Sequence, residues 1–146
     1  MGGKGGPPPY DGETKMCNDQ PCKNFCPEDS LCLDCSGFVA YVSKCAGLSS
    51  ISGGTANIFN DAPLITSCSG STVTTPTGTI TLSPGDLIGF KAGDWTKSPS
   101  FGHVFMYIGN GEIIDSHGSG RTNGMAVSVN SLSWACKNYP LRVVNR

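Results

Sequence analysis

Cys35, His103, Asp115 and His117 are residue types that nucleophilic acyl transfer uses, the first at a helix start and the others on a hairpin pattern. The run Leu33-Asp34-Cys35-Ser36-Gly37-Phe38-Val39 opens a helical pattern. A thiol at a helix start meets the positive end of the macrodipole and unpaired N–H groups, and both favour thiolate. The same N–H groups can hold an oxyanion while an acyl intermediate forms. The plainer reading of a lone cysteine is a small buried hydrophobe or half a disulfide, and that is its commoner fate. The histidines shift the balance. His103 and His117 are the only 2 in the chain, and both fall on one hairpin pattern. A lone histidine is usually structural, but a thiol, an imidazole and an orienting polar partner make an activated nucleophile.

The elements that must carry these residues are legible. Phe38, Val39, Tyr41, Val42 and Cys45 recur at helical spacing, predicting a helix over Cys35–Ala46 that stops at Gly47. Asp34 or Ser36 is placed to cap it. The Ser/Thr/Gly-rich stretch to about residue 80 reads as loops, with a short helix near Thr55–Asn60. Ser83-Pro84-Gly85 is a turn signal ahead of a strand over Asp86–Lys91. Val104–Ile108 and Glu112–Ser116 flank Gly109-Asn110-Gly111 as a hairpin, and Ala126–Val129 and Leu141–Val144 read as two more strands. If Gly109, Asn110 and Gly111 all belong to the loop, paired positions have even-summed numbers, and His103, Asp115 and His117 share one face. A loop of Asn110-Gly111 alone would turn His103 to the other face. One early helix followed by antiparallel strands is an α+β arrangement, with the helix packed on one sheet face.

Composition bounds what the chain does. Its 146 residues suit one domain with one core. A formal net charge of -1 gives no reason to expect nucleic acid or an anionic membrane as partner. Apolar runs such as Leu87–Phe90 are too short to cross a bilayer, and no leader pattern opens the chain. Residues 1–9, rich in Gly and Pro, read as a linker head. The expectation is therefore a processed or excised domain, part of a larger protein.

The 8 cysteines are well above ordinary usage and point to an exported, disulfide-forming protein, secreted or periplasmic. Cys17, Cys22, Cys26 and Cys32 crowd a Cys-rich segment at about residues 13–33 that has almost no apolar periodicity. Such a segment gains most from covalent staples, so these four are expected to pair among themselves. Zinc is the competing reading, although the spacing lacks two C-x-x-C knuckles, and no metal or other cofactor is expected. With Cys35 free, Cys45, Cys68 and Cys136 would supply one bridge and one buried thiol, Cys45 on the core face of the helix being the one to stay reduced. A Cys32–Cys35 bridge that switches the thiol off is the rival arrangement.

Several blocks resemble the NlpC/p60 family of cell-wall cysteine peptidases. Asp34-Cys35-Ser36-Gly37-Phe38-Val39 is similar to its D-C-S-G-F/L-V nucleophile motif, and Ser83-Pro84-Gly85-Asp86-Leu87-Ile88-Gly89-Phe90 to its P-G-D-L-x-x-F strand. His103-Val104-Phe105-Met106-Tyr107-Ile108-Gly109-Asn110-Gly111 resembles its H-V-G-I-Y-I-G-N-G hairpin. Gly6-Pro7-Pro8-Pro9-Tyr10 resembles the G-x-P-Y entry segment, without the Gly-Gly that usually follows. The blocks keep the family's order. The resemblance implies a papain-like α+β core spanning 10–146, with Cys35 as nucleophile and His103 as general base. It places the third polar residue at Asp115, where a histidine is common, and leaves His117 as the alternative. It implies that Tyr10, Asp34, Ser36 and Gly102 line the substrate cleft, Asp34 holding the free amine of an L-Ala-γ-D-Glu stem. Phe105 in place of Gly and the long Cys-rich insert depart from the pattern, and both are expected to reshape the cleft.

The resemblance thus implies a hydrolase acting on peptidoglycan stem peptides at the γ-D-glutamyl to diamino-acid bond, through an acyl-thioenzyme, as a monomeric catalytic domain. The muramoyl-L-alanine amide bond is the near alternative within the same chemistry. A thiol-redox protein using Cys32 and Cys35 is a different class; it lacks the βαβ context of redoxins and leaves the hairpin histidines unexplained. An inactive wall-binding module would use the same cleft without turnover.

Overall fold

The computed structural model describes residues 35–51, 53–116 and 127–146, together with the backbone of four residues nearer the start. Those four form a short antiparallel pair, β1 (Met16–Cys17) and β2 (Gln20–Pro21). Tyr10, Asp34, His117, Cys22, Cys26, Cys32 and the side chain of Cys17 lie outside the described residues. So does the four-cysteine pairing, and with it the zinc alternative.

After this pair come α1 (Cys35–Cys45), α2 (Thr55–Ile58), β3 (Ser67–Ser69), β4 (Thr72–Thr75), β5 (Gly78–Thr81), β6 (Leu87–Phe90), β7 (His103–Gly109), β8 (Glu112–Ser116), β9 (Val127–Ser131), α3 (Leu132–Asn138) and β10 (Arg142–Val144). The main sheet has five strands in the order β10-β6-β7-β8-β9, each neighbouring pair antiparallel. The α+β class expected from the helical and alternating patterns is the one observed.

Alternation along the strands divides the interior in two. Leu87, Val104 and Met106 face α1 and cluster with its Cys35 and Val39 and with Phe59. Ile88, Phe90, Phe105, Tyr107, Ile113 and Val143 point to the other face and cluster with Val73, Leu132 and Ala135. Full burial of each such side chain stabilises by about 1.5–3 kcal/mol, so α1 is clamped to the sheet by its Val39 side. Ser36 is the second residue of α1 rather than its cap.

Three sequence-based readings are corrected. The stretch read as loops contains a three-stranded sheet, β3-β4-β5. β4 and β5 are Thr-rich, and the β-branched Thr fits a pleated, half-buried surface as Val does. Val73 and Thr75 of β4 point inward while Thr72 and Thr74 are only partly covered. A helix, α3, follows directly on β9, its start capped by the Ser131 hydroxyl, which accepts from the Trp134 N–H. Cys68 of β3 is bridged to Cys136 of α3. Cys45 is the thiol left over, as expected, but it is exposed rather than buried on the core face. It stands at the last residue of α1.

Candidate active site

The hairpin decides where the histidine goes. Asn110 and Gly111 both have positive φ (53° and 71°), the conformation of a tight two-residue type I′ turn, and Gly109 pairs with Glu112 across it. That turn alone would put His103 on the wrong face. A register irregularity between Tyr107 and Gly109 restores the pairing Tyr107↔Ile113 and Met106↔Ile114. His103 and Asp115 therefore do share a face, through a bulge at Ile108 instead of a longer loop. The buried Tyr107 hydroxyl accepts the Gly111 N–H at 2.9 Å and holds the turn closed.

Asp115 is 1% exposed, and its Oδ2 lies 2.6 Å from Nε2 of His103. An ionised carboxylate can only accept, so Nε2 carries the proton in this bond. The second hydrogen-bonding neighbour of the ring is Cys35, and with Nε2 committed, Nδ1 is the nitrogen left for sulfur. Cys35 is 2% exposed and begins α1. By alternation the imidazole starts from the face opposite α1, at the first residue of β7, while the thiol starts from the first residue of the helix. They meet at the end of the sheet.

Electrostatics favour a proton on this ring. Burial is the largest influence and works against it. The hydrogen bonds to Asp115 and Cys35, with the negative charge on each, outweigh burial and raise the pKa of His103 from 6.5 to about 9. No acidic residue lies in the first turn of α1 and Lys44 lies in its last, so nothing within the helix cancels the positive field at Cys35. A sulfur that leads a helix can attack an electrophilic carbonyl, and an imidazolium beside it can then protonate the departing group.

A family model for the NlpC/P60 family matches residues 12–139, most of the chain. The chain belongs to the NlpC/P60 family. Its antiparallel sheet with a helix packed on one face is the papain-like α+β arrangement of that family. Membership brings cell-wall peptidase or hydrolase activity in the broad sense, directed at peptidoglycan. No curated protein and no solved structure matches the chain significantly.

Other positions singled out in the sequence of this NlpC/P60 domain fall as follows. The family match begins after Tyr10. Ser36 is 5% exposed, directly behind the nucleophile position. Gly102 precedes His103, and a Cβ there would strike the Thr55 hydroxyl and the Phe90 carbonyl, so close packing of α2 on this loop demands glycine. Phe105 is 1% exposed and lies against the imidazole with ring centroids 4.7 Å apart, inside the core. Sequence reading overlooked that contact, although alternation along β7 already set the two rings on one face. A cavity of about 40 Å³ beside the Cys68–Cys136 bridge is lined by Ile65, Thr66, Tyr139 and Leu141 among others, and not by Cys35, His103 or Asp115. Among the described residues no group of His, Cys, Asp or Glu is arranged to hold a metal, and no helix is long and apolar enough to cross a membrane.

Proposed function

We propose that Cys35, His103 and Asp115 are the catalytic residues of a cysteine endopeptidase that cleaves peptidoglycan stem peptides at the γ-D-glutamyl to diamino-acid bond. The observation that carries this reading is the imidazole held between the Asp115 carboxylate at 2.6 Å and the Cys35 sulfur. The sulfur of Cys35 attacks the scissile carbonyl carbon, forming a C–S bond and an oxyanion that the first N–H groups of α1 can hold. Imidazolium His103 gives its proton to the leaving amine as the C–N bond breaks, leaving an acyl-thioenzyme. Water then attacks the thioester carbonyl, His103 takes its proton, and the C–S bond breaks to release the acid. Asp115 keeps the ring oriented and stabilises the imidazolium throughout.

Tyr10, Asp34 and Ser36 are proposed as cleft residues, with Asp34 holding the stem's free amine. Asp115 is preferred to His117 as the third residue because of its hydrogen bond to the ring. A cell-wall-facing location, secreted or periplasmic, goes with this substrate and with the Cys68–Cys136 bridge. Mass spectrometry of purified muropeptides digested by wild type and by Cys35→Ala tests the reading. New free γ-D-glutamyl and diamino-acid ends with wild type alone are expected. Release at muramoyl-L-alanine would move the activity to the amidase alternative, and unchanged products with Cys35→Ala would remove Cys35 from the chemistry.

A further inference from the structure

We infer that Phe105 is a positioning residue: its ring fixes the plane of the His103 imidazole so that Nε2 meets Asp115 while Nδ1 faces Cys35. This rests on the thiol–imidazole reading above. The soft motion of a histidine ring is rotation about Cβ–Cγ, whose energy wells are broad. The bond to Asp115 constrains one nitrogen and still permits the ring to tilt about it, which would swing the other nitrogen off sulfur.

Phe105 removes that freedom. It lies next along the same face of β7, with its ring at 81° to the imidazole and a centroid separation of 4.7 Å. That is the close end of the edge-to-face range for aromatic pairs. The Phe105 ring is itself held, with its centroid 5.9 Å from that of Tyr139. Tyr139 in turn stacks on Phe90 at 5.4 Å and 20°. Phe90 is the register partner of His103 on β6, and its ring centroid is 6.5 Å from the imidazole. The imidazole thus rests on an aromatic floor continuous with the core. Asp115 from β8 and Cys35 from α1 are the titratable groups acting on the ring among the described residues; neither supplies a flat surface.

The test compares wild type, Phe105→Leu, Phe105→Met and Phe105→Tyr. It reads iodoacetamide alkylation of Cys35 against pH, and kcat and KM on a defined muropeptide. Leu and Met fill much of the volume but offer no ring. In both, alkylation at about pH 6 and kcat should each fall about 3–10-fold, with KM changed less than about twofold. The alkaline limb of the alkylation profile should move to lower pH, and Phe105→Tyr should restore the wild-type profile. A packing role alone would lower thermal stability and leave the pH profile of the folded variants in place. That outcome overturns the proposal, as does a Tyr variant as impaired as Leu. Should Phe105→Leu fail to fold, the less demanding Met variant decides on the same criteria. Wild-type Cys35 no more reactive than Cys45 at about pH 6 would instead sink the thiol–imidazole reading, and this inference with it.

Discussion

Nε2 of His103 and Oδ2 of Asp115 stand 2.6 Å apart, joining β7 to β8 by a side-chain hydrogen bond at the end of the sheet where α1 begins. The pairing of Tyr107 with Ile113, continued outward, sets Asp115 opposite Phe105 and His103 one pleat further on. The two side chains therefore meet on a diagonal, within reach of long polar groups. Asp115 is 1% and His103 15% exposed, so water screens this contact poorly.

The pKa of His103 near 9 sets the pH behaviour. The leaving amine needs the imidazolium proton, so kcat/KM should fall as pH rises through about 9. Because the folded pKa lies above the ordinary 6.5, this residue's contribution to stability is complete below that value and is lost as pH rises towards 9. Asp115→Asn keeps an acceptor oxygen for the ring but removes the charge that raises its pKa, so both limbs should move to lower pH. Rate profiles and urea midpoints between pH 6 and 10 check this; an unmoved limb in Asp115→Asn would show that the limb belongs to another group.

Asp115→Ala should lower kcat by roughly 10²–10⁴ while the fold survives, because the imidazole loses its tautomer and orientation. His117→Ala should do much less. Steady-state kinetics with both variants, alongside far-UV circular dichroism, gives the ranking. The reverse order would assign the orienting role to His117.

Two described thiols are free, and they set exposure against activation. Cys45 is exposed, whereas Cys35 is buried beside His103. Simple access favours labelling of Cys45; an imidazolium partner and the helix terminus favour Cys35. At pH 6, brief iodoacetamide treatment followed by peptide mapping should find the label on Cys35. His103→Ala should abolish that preference.

Asp86, in the turn ahead of β6, is 1% exposed and accepts from the Ser83 N–H, the Asn145 side-chain amide and the Arg146 N–H at 2.9, 2.6 and 2.9 Å. The Arg146 guanidinium reaches on to the Gly85 carbonyl, the Ser49 carbonyl and the Ser43 hydroxyl of α1. Asp86→Ala removes the buried, charged acceptor that gathers these donors and should cost about 2–3 kcal/mol in a urea titration. Below the unfolding transition, the rate of Cys35 alkylation should be unchanged, since Asp86 touches neither thiol nor imidazole.

Local features were legible in the order of residues alone. Helical spacing from Phe38 to Cys45 placed Cys35 at a helix start, and Asn110-Gly111 between apolar runs placed His103 and Asp115 on one hairpin. The motif blocks around Cys35, Asp86 and His103 sufficed for the family. Tertiary structure decided what depends on distant partners. Whether His103 and Asp115 share a face turned on a bulge at Ile108, and a one-residue change of register inverts every side chain. The Ser- and Thr-rich strands β3 to β5 are strands because Val73 and Thr75 find a core to enter, and composition alone reads such residues as loop. Cys68 found Cys136 across a separation of 68 residues, a pairing that spacing cannot choose among candidates. Phe105 became a support for the imidazole only when Tyr139 and Phe90 packed behind it. A side chain's role in packing is set by what the rest of the chain brings to its far side.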